Sequence, residues 1–352
     1  QRQRRGCPDY VEGFRGYAGL ILALETSCDD TCAALLDGDR LLSNIVSSQD
    51  AFHARYGGVV PEVASRRHLE LINPVITAAL AEAGAGFGQI KRVAVTTRPG
   101  LIGALLVGVA TAKAITWAVG AELVTVNHIE GHIAANYLNP EPVEPPFICL
   151  IASGGHTAIV FVSKRGTFEL LGSTLDDAAG EALDKGARLL GLGYPGGADL
   201  DILAGHGDPS FATFPVGLDR PGNLNFSFSG VKTALYYYLK GAGSETVRKH
   251  RADIAASYQS AVVSALLKKS LAAAEQRGCD RICLAGGVSA NSILRQRLTD
   301  ECRGRSIMLR VPPPELCTDN AAMVASAARY LPAIPFPEFL SLGAKASGGF
   351  AA

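Results

Sequence analysis

A proline-rich segment divides this chain into two stretches that begin in the same way. Residues 139–146 read NPEPVEPP, and prolines at this density exclude both a helix and an interior strand. Before the segment, LILALETSCDDTCAALL predicts a strand, a tight turn and a second strand, and FICLIASGGHTAIVFVS predicts the same arrangement after it. The sequence therefore predicts two lobes of related topology, and its 352 residues are enough for two cores.

Both lobes have the pattern of mixed α/β structure. After its opening turn, the first lobe is predicted to contain a third strand (RLLSNIVSS), a long helix from Pro61, a strand (RVAVTT), a helix from 101 to about 119 and a strand (AELVTVN). The second lobe is predicted to contain an irregular region from 172 to 235, a helix around 251–277, a strand (RICLAGG), a helix from about 289, a strand (SIMLRV) and a last helix (DNAAMVASAARYL).

We expect four segments along the chain. They are an N-terminal extension without fixed structure over 1–18, a first lobe over 19–145, a second lobe with insertions over 146–318, and a terminal helical segment over 319–345 that returns towards the cleft and the first lobe.

Composition limits function only weakly. Lys plus Arg equals Asp plus Glu at 33 each, so the net charge does not indicate nucleic-acid binding. The eight cysteines include no C-x-x-C pair and several lie in apolar runs, which predicts buried thiols of a reducing compartment. The longest apolar run, GALLVGVATAKAITWAVGA, is broken by Lys113, so we interpret it as a buried helix of a cytoplasmic protein with no membrane partner. The arginine-rich N-terminus leaves organellar import open.

The stretch NHIEGHIAAN contains two histidines, His128 and His132, at a spacing that suits one metal ion. Residues four apart on a helix lie on the same face, so both imidazoles could chelate one cation. A zinc protease of the H-E-x-x-H kind needs a glutamate directly after the first histidine, where this chain has Ile129, and Glu130 is on the wrong face. The protease motif is absent, and a metal site and a pair of core histidines both stay open.

Asp319, in CTDNAAM, is a candidate third ligand. A carboxylate at a helix start is favoured by the helix dipole, and it could face the other lobe. Two histidines and one carboxylate leave coordination positions for substrate oxygens, as in non-haem iron or catalytic zinc sites. The alternative is a plain N-cap.

Two tight turns and a glycine pair are candidates for binding a nucleotide. The turns, at 26–31 and 153–157, would let backbone N–H groups and hydroxyls approach a phosphate chain between the lobes. Gly286 and Gly287 lead from a strand into a helix, where a purine ring could lie flat with Asn291 as a polar contact. Ordinary turns are the alternative for each of them.

An acidic run, TLDDAAGEALDKGARLLGLGYPGG, precedes a further glycine-rich segment. Glu181 and Asp184 are three residues apart and can share a helix face, where carboxylates could grip ribose hydroxyls or order a basic loop. A solvated acidic face is the alternative.

Eight blocks of the sequence, in order, resemble one family. They are LETSCDDT, YGGVVPEVASRRH, NHIEGHIAA, SGGHT, TLDDAAGEALDKGARLLGLGYPGG, NFSFSGVKTAL, AGGVSANSILR and TDNAAM. They are similar to the blocks of the bacterial TsaD-like tRNA adenosine threonylcarbamoyltransferases, relatives of the KEOPS catalytic subunit. The resemblance runs from about 20 to 345 and implies the actin, sugar-kinase and Hsp70-like (ASKHA) α/β fold, with a ligand cleft between two lobes.

The resemblance also implies a site. It assigns one divalent metal, Fe²⁺ in preference to Zn²⁺, to His128, His132 and Asp319. It assigns threonylcarbamoyl-AMP, or ATP, to residues that lie in five places along the second lobe, namely Ile151, Ala152, Ser153, Gly154, Gly155, Asp184, Gly197, Asp201 and Asn291.

The implied reaction moves the threonylcarbamoyl group to the N6 amine of the adenosine 3′ of the anticodon, in tRNAs reading ANN codons. Asp30 is the candidate that accepts or relays the amine proton. The implied partners are tRNA, a TsaB-like paralogue on the first lobe and a TsaE-like ATPase. We expect the helix from Pro61 to contact the paralogue, and the basic stretches SRRH (65–68) and VRKHR (247–251) are candidate tRNA contacts or solvated helix faces.

The chain departs from the family pattern at two positions. Asp30 stands where relatives usually have glutamate, so its carboxyl group would lie further from the reacting centre. Arg98 stands where relatives have glycine, so we expect a changed turn if that position needs a positive φ. The competing functions are an ASKHA-fold small-molecule kinase, which has no need of the histidine pair, and a non-catalytic nucleotide-binding subunit, which would be expected to have lost it.

Overall fold

The computed structural model describes residues 16–348, and within them two five-stranded sheets have the same topology. The first sheet has the order β3-β2-β1-β4-β5, built from Leu20–Glu25 (β1), Asp30–Asp37 (β2), Arg40–Ser48 (β3), Arg92–Arg98 (β4) and Glu122–Asn127 (β5). The second has the order β10-β9-β6-β7-β8, built from Phe147–Ala152 (β6), Thr157–Lys164 (β7), Thr167–Ser173 (β8), Arg281–Ala285 (β9) and Met308–Arg310 (β10).

Each sheet begins with an antiparallel hairpin and ends with parallel strands. β1 pairs antiparallel with β2 and parallel with β4, and β6 pairs antiparallel with β7 and parallel with β9. The expectation of two lobes with related topology is therefore confirmed, although the two hairpin sequences share few residues.

The helices cover the outer faces of the sheets and fill the space between them. In chain order they are Asp50–His53 (α1), Pro61–Ala83 (α2), Ile102–Val119 (α3), His128–Ala134 (α4), Ala179–Leu189 (α5), Gly197–Ala204 (α6), Ser229–Ala242 (α7), Ser244–Lys249 (α8), Arg251–Arg277 (α9), Ser292–Gly304 (α10), Pro314–Cys317 (α11) and Ala321–Ala328 (α12). The region expected to be irregular, 172–235, contains α5, α6 and the start of α7. The expectation is correct for 205–228, where no helix forms, and wrong for 179–189 and 197–204, which form α5 and α6.

α4 and α12 pack against each other between the two sheets. Their apolar residues share one buried core with Ile21 of the first sheet and Cys149 of the second. After α12 the chain runs back over the first lobe, where Ile334 N donates to Leu123 O at 2.7 Å and Lys345 N donates to Thr97 O at 2.9 Å. These contacts agree with the course expected of the terminal segment, while the proposed extension over 1–18 lies largely outside the described residues.

One face of α3 is exposed and apolar. α3 packs on β4 and α2, and Lys113 Nζ on it donates to the carbonyls of Leu340 and Leu342. The solvent-facing side of α3 carries Ile102, Leu106 and Trp117, which are 42%, 48% and 69% exposed. The expectation of a buried helix is thus correct for one face only, and α3 is the one described helix that is long and apolar enough to cross a membrane by length and composition.

Two smaller expectations can be compared with the structure. Seven of the cysteines lie within the described residues, and all seven are free thiols, six of them buried.

Arg98 is the last residue of β4, next to a bulge after Thr96. Because Arg98 continues an extended strand, the changed turn that we expected from a positive φ is not required there.

Candidate metal centre and nucleotide pocket

His128 and His132 are placed by the junction of β5 and α4. The Asn127 side chain caps α4 by accepting a hydrogen bond from Ile129 N at 2.8 Å, so the helix begins at His128 directly after the strand. The two rings lie on one face of α4 with centroids 4.6 Å apart. Both histidines are buried, which leaves them little freedom to turn elsewhere.

Asp319 completes a three-residue cluster from the far end of the chain. Its Oδ1 lies 3.4 Å from His128 Nε2 and 3.2 Å from His132 Nε2, and the three candidate ligand atoms lie within 4.8 Å of one another. Asp319 is not the N-cap of α12, because Asn320 fills that role by accepting from Met323 N at 2.9 Å. The cap alternative for Asp319 is therefore wrong, and its carboxylate faces the histidines instead.

Charges around the cluster are arranged to hold a cation. Although burial disfavours its charged form, the carboxylates of Asp319 and Glu25 hold the pKa of His128 well above its usual range. Burial likewise opposes ionisation of Asp319, but His128 and then His132 hold its pKa well below the usual range. A metal ion could supply the positive charge that these buried carboxylates require.

His132 provides a test of whether the residues fit a metal. Both of its ring nitrogens are buried, and neither makes a well-aligned hydrogen bond to a group in residues 16–348. A buried polar atom without such a partner is costly, and a metal at Nε2 would satisfy one of the two. The chain therefore fits one cation bound by two imidazoles and one carboxylate, a ligand set known from iron and zinc sites.

The turn after β6 lies beside this cluster. Ile151 and Ala152 end β6, and Ser153 N donates to His156 O at 2.8 Å to close the turn. Gly154 and Gly155 are exposed, and a Cβ on either would meet no described atom within 4 Å. Gly154 and Gly155 thus leave the tip of this turn open on the surface, as phosphate binding would require.

Asp184 contacts the chain's own glycine-rich loop. Its Oδ1 accepts from Gly196 N at 2.9 Å and from Gly197 N at 2.8 Å, at the start of α6. Glu181, on the same helix, forms an ion pair with Lys185 at 2.6 Å. Asp184 therefore orders a glycine-rich loop that contains no basic residue, and Glu181 pairs with a neighbour on α5.

Asp201 and Asn291 are bonded to each other. Asp201 Oδ1 accepts from Asn291 Nδ2 at 3.0 Å and from Gln259 Nε2 at 2.7 Å, while its Oδ2 accepts from Ser292 N at 2.9 Å. Asn291 also caps α10 through Leu294 N. The candidate nucleotide residues after 155 therefore form one connected set at the starts of α6 and α10.

Asp30 begins β2 at the edge of the metal cluster. Burial, and after it the nearby Asp319 carboxylate, raises the pKa of Asp30 to about 7. Its Oδ1 is buried without a hydrogen-bond partner among the described groups. A carboxyl group with one free oxygen and a pKa near neutrality is suited to accept a proton.

Sequence reasoning missed two residues of this site. Glu25, the last residue of β1, is buried and lies 3.0 Å from His128 Nδ1. His156, in the SGGHT block, has its ring centroid 6.1 Å from that of His128, and burial, with the two metal-cluster histidines, lowers its pKa to about 4. A charged residue ending the apolar strand LILALE was the one available signal for Glu25.

The architecture is an ASKHA-like α/β fold, with a candidate metal centre between its two sheets. Two solved structures show the same fold. Full-length HypF in the phosphate- and nucleotide-bound form has a TM-score of 0.59 and 14% sequence identity, and the match covers 89% of this chain and 46% of that chain. HypF from T. kodakarensis has a TM-score of 0.61 and 15% sequence identity, and the match covers 89% of this chain and 48% of that chain. At this identity the likeness concerns the fold alone.

The sequence comparisons identify the family. A family model described as "TsaD: tRNA N6-adenosine threonylcarbamoyltransferase" matches residues 40–326. The curated protein of that name from Pelobacter propionicus is 54% identical, over 87% of this chain and 90% of the relative. The one from Symbiobacterium thermophilum is 52% identical, over 89% of this chain and 92% of the relative. In Clostridium perfringens strain SM101 the identity is 50%, over 88% and 92%. The chain belongs to the TsaD family.

Proposed function

We propose that this protein transfers the threonylcarbamoyl group from threonylcarbamoyl-AMP to the N6 amine of the adenosine 3′ of the anticodon in tRNAs reading ANN codons. The observation that carries the proposal is the cluster of His128, His132 and Asp319 between the lobes of a TsaD-family chain. A small-molecule kinase of the same fold would have no use for this cluster, and a non-catalytic subunit would not be expected to retain it.

We propose that the cluster holds one divalent cation, Fe²⁺ in preference to Zn²⁺. Bound there, the cation would polarise the carbonyl oxygen of the mixed anhydride. His128 and His132 come from the first lobe and Asp319 from the chain after the second sheet, so binding also joins residues that are far apart in the sequence. His156, neutral because its pKa is about 4, adds no positive charge that would compete with the cation.

The second lobe would hold the adenylate. The exposed backbone of Gly154 and Gly155 supports binding of the phosphate. A Cβ on half-buried Gly287 would meet only Thr318 Cγ2, at 3.8 Å, so the space beside this glycine supports binding of a flat ring. Asp184 and Asp201 fix the loop and the helix starts around this pocket through the bonds described above. The acyl phosphate is already activated, so the task of the protein is chiefly to orient it towards the amine.

We propose that Asp30 accepts the proton of the attacking amine. The active form is deprotonated, so the transfer rate should rise as the pH passes upward through about 7. A cation at Asp319 would offset part of the shift and move the inflection below this value. Asp30→Asn should lower the rate on the order of 10²-fold or more and flatten the profile, measured as initial rates at saturating adenylate.

Two variants sharpen this test. Asp50→Asn removes a neighbouring acidic charge that raises the pKa of Asp30, so it should keep the profile with a slightly lower inflection. Asp30→Glu should retain the transfer activity, because it restores the usual family residue. An Asp30→Asn enzyme with the wild-type pH profile would exclude the residue as the base.

The tRNA would approach the cleft between the lobes. Of the two basic stretches, 65–68 offers fewer side chains for phosphate contacts than its sequence indicates. His68 is buried, where its Nε2 lies 3.0 Å from Cys28 O and its Nδ1 lies 2.7 Å from Thr31 Oγ1. Among the described residues of the second stretch, Arg248 and Lys249 are exposed and form no ion pair. They support a phosphate contact at 247–251 better than His68 does at 65–68.

A TsaB-like paralogue and a TsaE-like ATPase are the protein partners that we propose. The apolar stripe of α3, beside the predicted contact helix α2, suits the paralogue, because contiguous exposed apolar surface marks interfaces. Leu106→Asp should weaken paralogue binding by roughly 30-fold or more, as expected for a charge in the centre of an interface, measured by calorimetry.

Tyr237→Asp, on α7 of the other lobe, is the matched control because Tyr237 is 64% exposed and also apolar. It should bind the paralogue as the wild type does. Equal affinities of both variants and the wild type would place the interface elsewhere.

The proposed reaction is tested directly by incubating the purified protein, loaded with Fe²⁺ or Zn²⁺, with labelled threonylcarbamoyl-AMP and unmodified tRNA, together with its protein partners. Label should appear on the adenosine 3′ of the anticodon, and a tRNA with another base there should stay unlabelled. Label released only as free product, or phosphoryl transfer from ATP to a small molecule, would contradict the proposal.

A further inference from the structure

Glu25 is a buried carboxylate whose contacts lead to one of the proposed metal ligands. It is fully shielded from solvent at the end of β1. Its Oε1 accepts from Ser27 N at 2.5 Å, and its Oε2 accepts from Thr96 Oγ1 at 2.6 Å. The same Oε2 lies 3.0 Å from His128 Nδ1, so both carboxylate oxygens are engaged on the side of His128 away from Asp319.

We infer that Glu25 is a positioning residue that fixes the tautomer and the orientation of His128 so that Nε2 faces the cation. An ionised carboxylate can only accept hydrogen bonds, so the proton of a neutral His128 must lie on Nδ1. The lone pair is then on Nε2, the atom that lies 3.4 Å from Asp319 Oδ1. The inference rests on the metal site proposed above. It adds Glu25 as the hydrogen-bond acceptor for Nδ1 of His128, the ring nitrogen that faces away from the cation.

The hydroxyl of Ser27 shows why the carboxylate matters. Ser27 Oγ lies 3.1 Å from the same Nδ1, and a hydroxyl can donate as well as accept. If Ser27 donated to Nδ1, the proton of a neutral His128 would move to Nε2 and block the metal. Glu25 removes this ambiguity because Oε2 requires a donor at Nδ1, which leaves Ser27 to act as an acceptor or to donate elsewhere.

The two histidines differ in this respect. Nδ1 of His132 has no hydrogen-bond partner among the described residues, so no acceptor holds that ring from the side away from Asp319. His128 is therefore the ligand whose orientation a single side chain controls. Loss of Glu25 should weaken the metal site through His128 while Asp319 and His132 remain in place.

The test is the affinity for Zn²⁺, measured on the metal-free full chain by competition with a chromophoric chelator. Glu25→Gln keeps an oxygen acceptor but loses the charge, and Glu25→Met, which is similar in size, removes the acceptor. We expect the affinity to fall about 10-fold in Glu25→Gln and about 100-fold in Glu25→Met, the range known for acceptors behind metal-bound histidines. Thr96→Val is the matched control, since it removes the other bond to Oε2 and leaves His128 untouched, and its affinity should stay within about threefold of wild type.

A second measurement needs no variant, in case the Glu25 variants fail to fold. In the Zn²⁺-loaded wild-type protein labelled with ¹⁵N-histidine, NMR should show a protected proton on Nδ1 of His128 and a metal-shifted Nε2. Zn²⁺ bound through Nδ1, or equal affinities of Glu25→Met and wild type, would overturn the role of Glu25 alone. A wild-type protein that binds no Zn²⁺ or Fe²⁺ would instead overturn the metal site itself.

Discussion

Replacing Asp319 with alanine should abolish both metal binding and transfer, with a rate loss on the order of 10³-fold or more. Asp319 is the carboxylate that faces both imidazoles, at 3.4 and 3.2 Å. Without it, two neutral histidines would have to hold a dication with no negative charge at the open side of the site. The measurements are metal content after dialysis and the initial rate of labelled threonylcarbamoyl transfer to tRNA.

Asp253→Ala is a matched control for this substitution. Asp253 also pairs with a histidine, since its Oδ2 lies 3.0 Å from His250 Nδ1, but the pair lies on the surface at the start of α9. This variant should keep its metal content, because its aspartate–histidine pair lies outside the cluster. An Asp319→Ala enzyme that retains stoichiometric metal and transfers at the wild-type rate would refute the proposed ligand set.

Much of the fold follows from patterns that are local in the sequence. The long helix from Pro61 was predicted because a proline at the first turn precedes periodic apolar residues, and α2 begins there. The matching hairpins followed from two apolar runs interrupted by short polar or glycine turns, and the sheets do share one strand order. Local chemistry determines such elements, so they can be recognised without knowing what packs against them.

The parts that the sequence did not predict depend on distant contacts. Glu25 matters because His128 and Thr96, 103 and 71 positions away, come to lie against it. The exposed stripe on α3 escaped prediction because an apolar helix gives no signal of which face the fold leaves uncovered. The family resemblance proposed the metal ligands but not Glu25 as the acceptor behind His128, since a sequence block does not reveal its hydrogen bonds.

Gly286→Ala should be the most damaging single-methyl addition in the nucleotide pocket. Gly286 has φ +86, which alanine adopts only under strain. A Cβ there would also lie 2.5 Å from Ala152 O and 3.1 Å from Ser153 Cβ, inside the turn proposed to hold the adenylate. The turn must move to relieve the overlap, and overpacking of this kind costs about 1–3 kcal/mol. We therefore expect adenylate affinity to fall on the order of 100-fold, measured by calorimetry.

Gly278→Ala separates the clash from the backbone strain. Gly278 ends α9 with φ +59, and a Cβ there would meet no described atom within 4 Å. This variant should be destabilised by about 1 kcal/mol in thermal unfolding and should bind the adenylate normally. Both glycines have positive φ, but only Gly286 touches the 151–155 turn. A larger loss of adenylate binding in Gly286→Ala than in Gly278→Ala would therefore come from displacement of that turn. Equal losses in the two variants would mean that the turn does not contact the nucleotide.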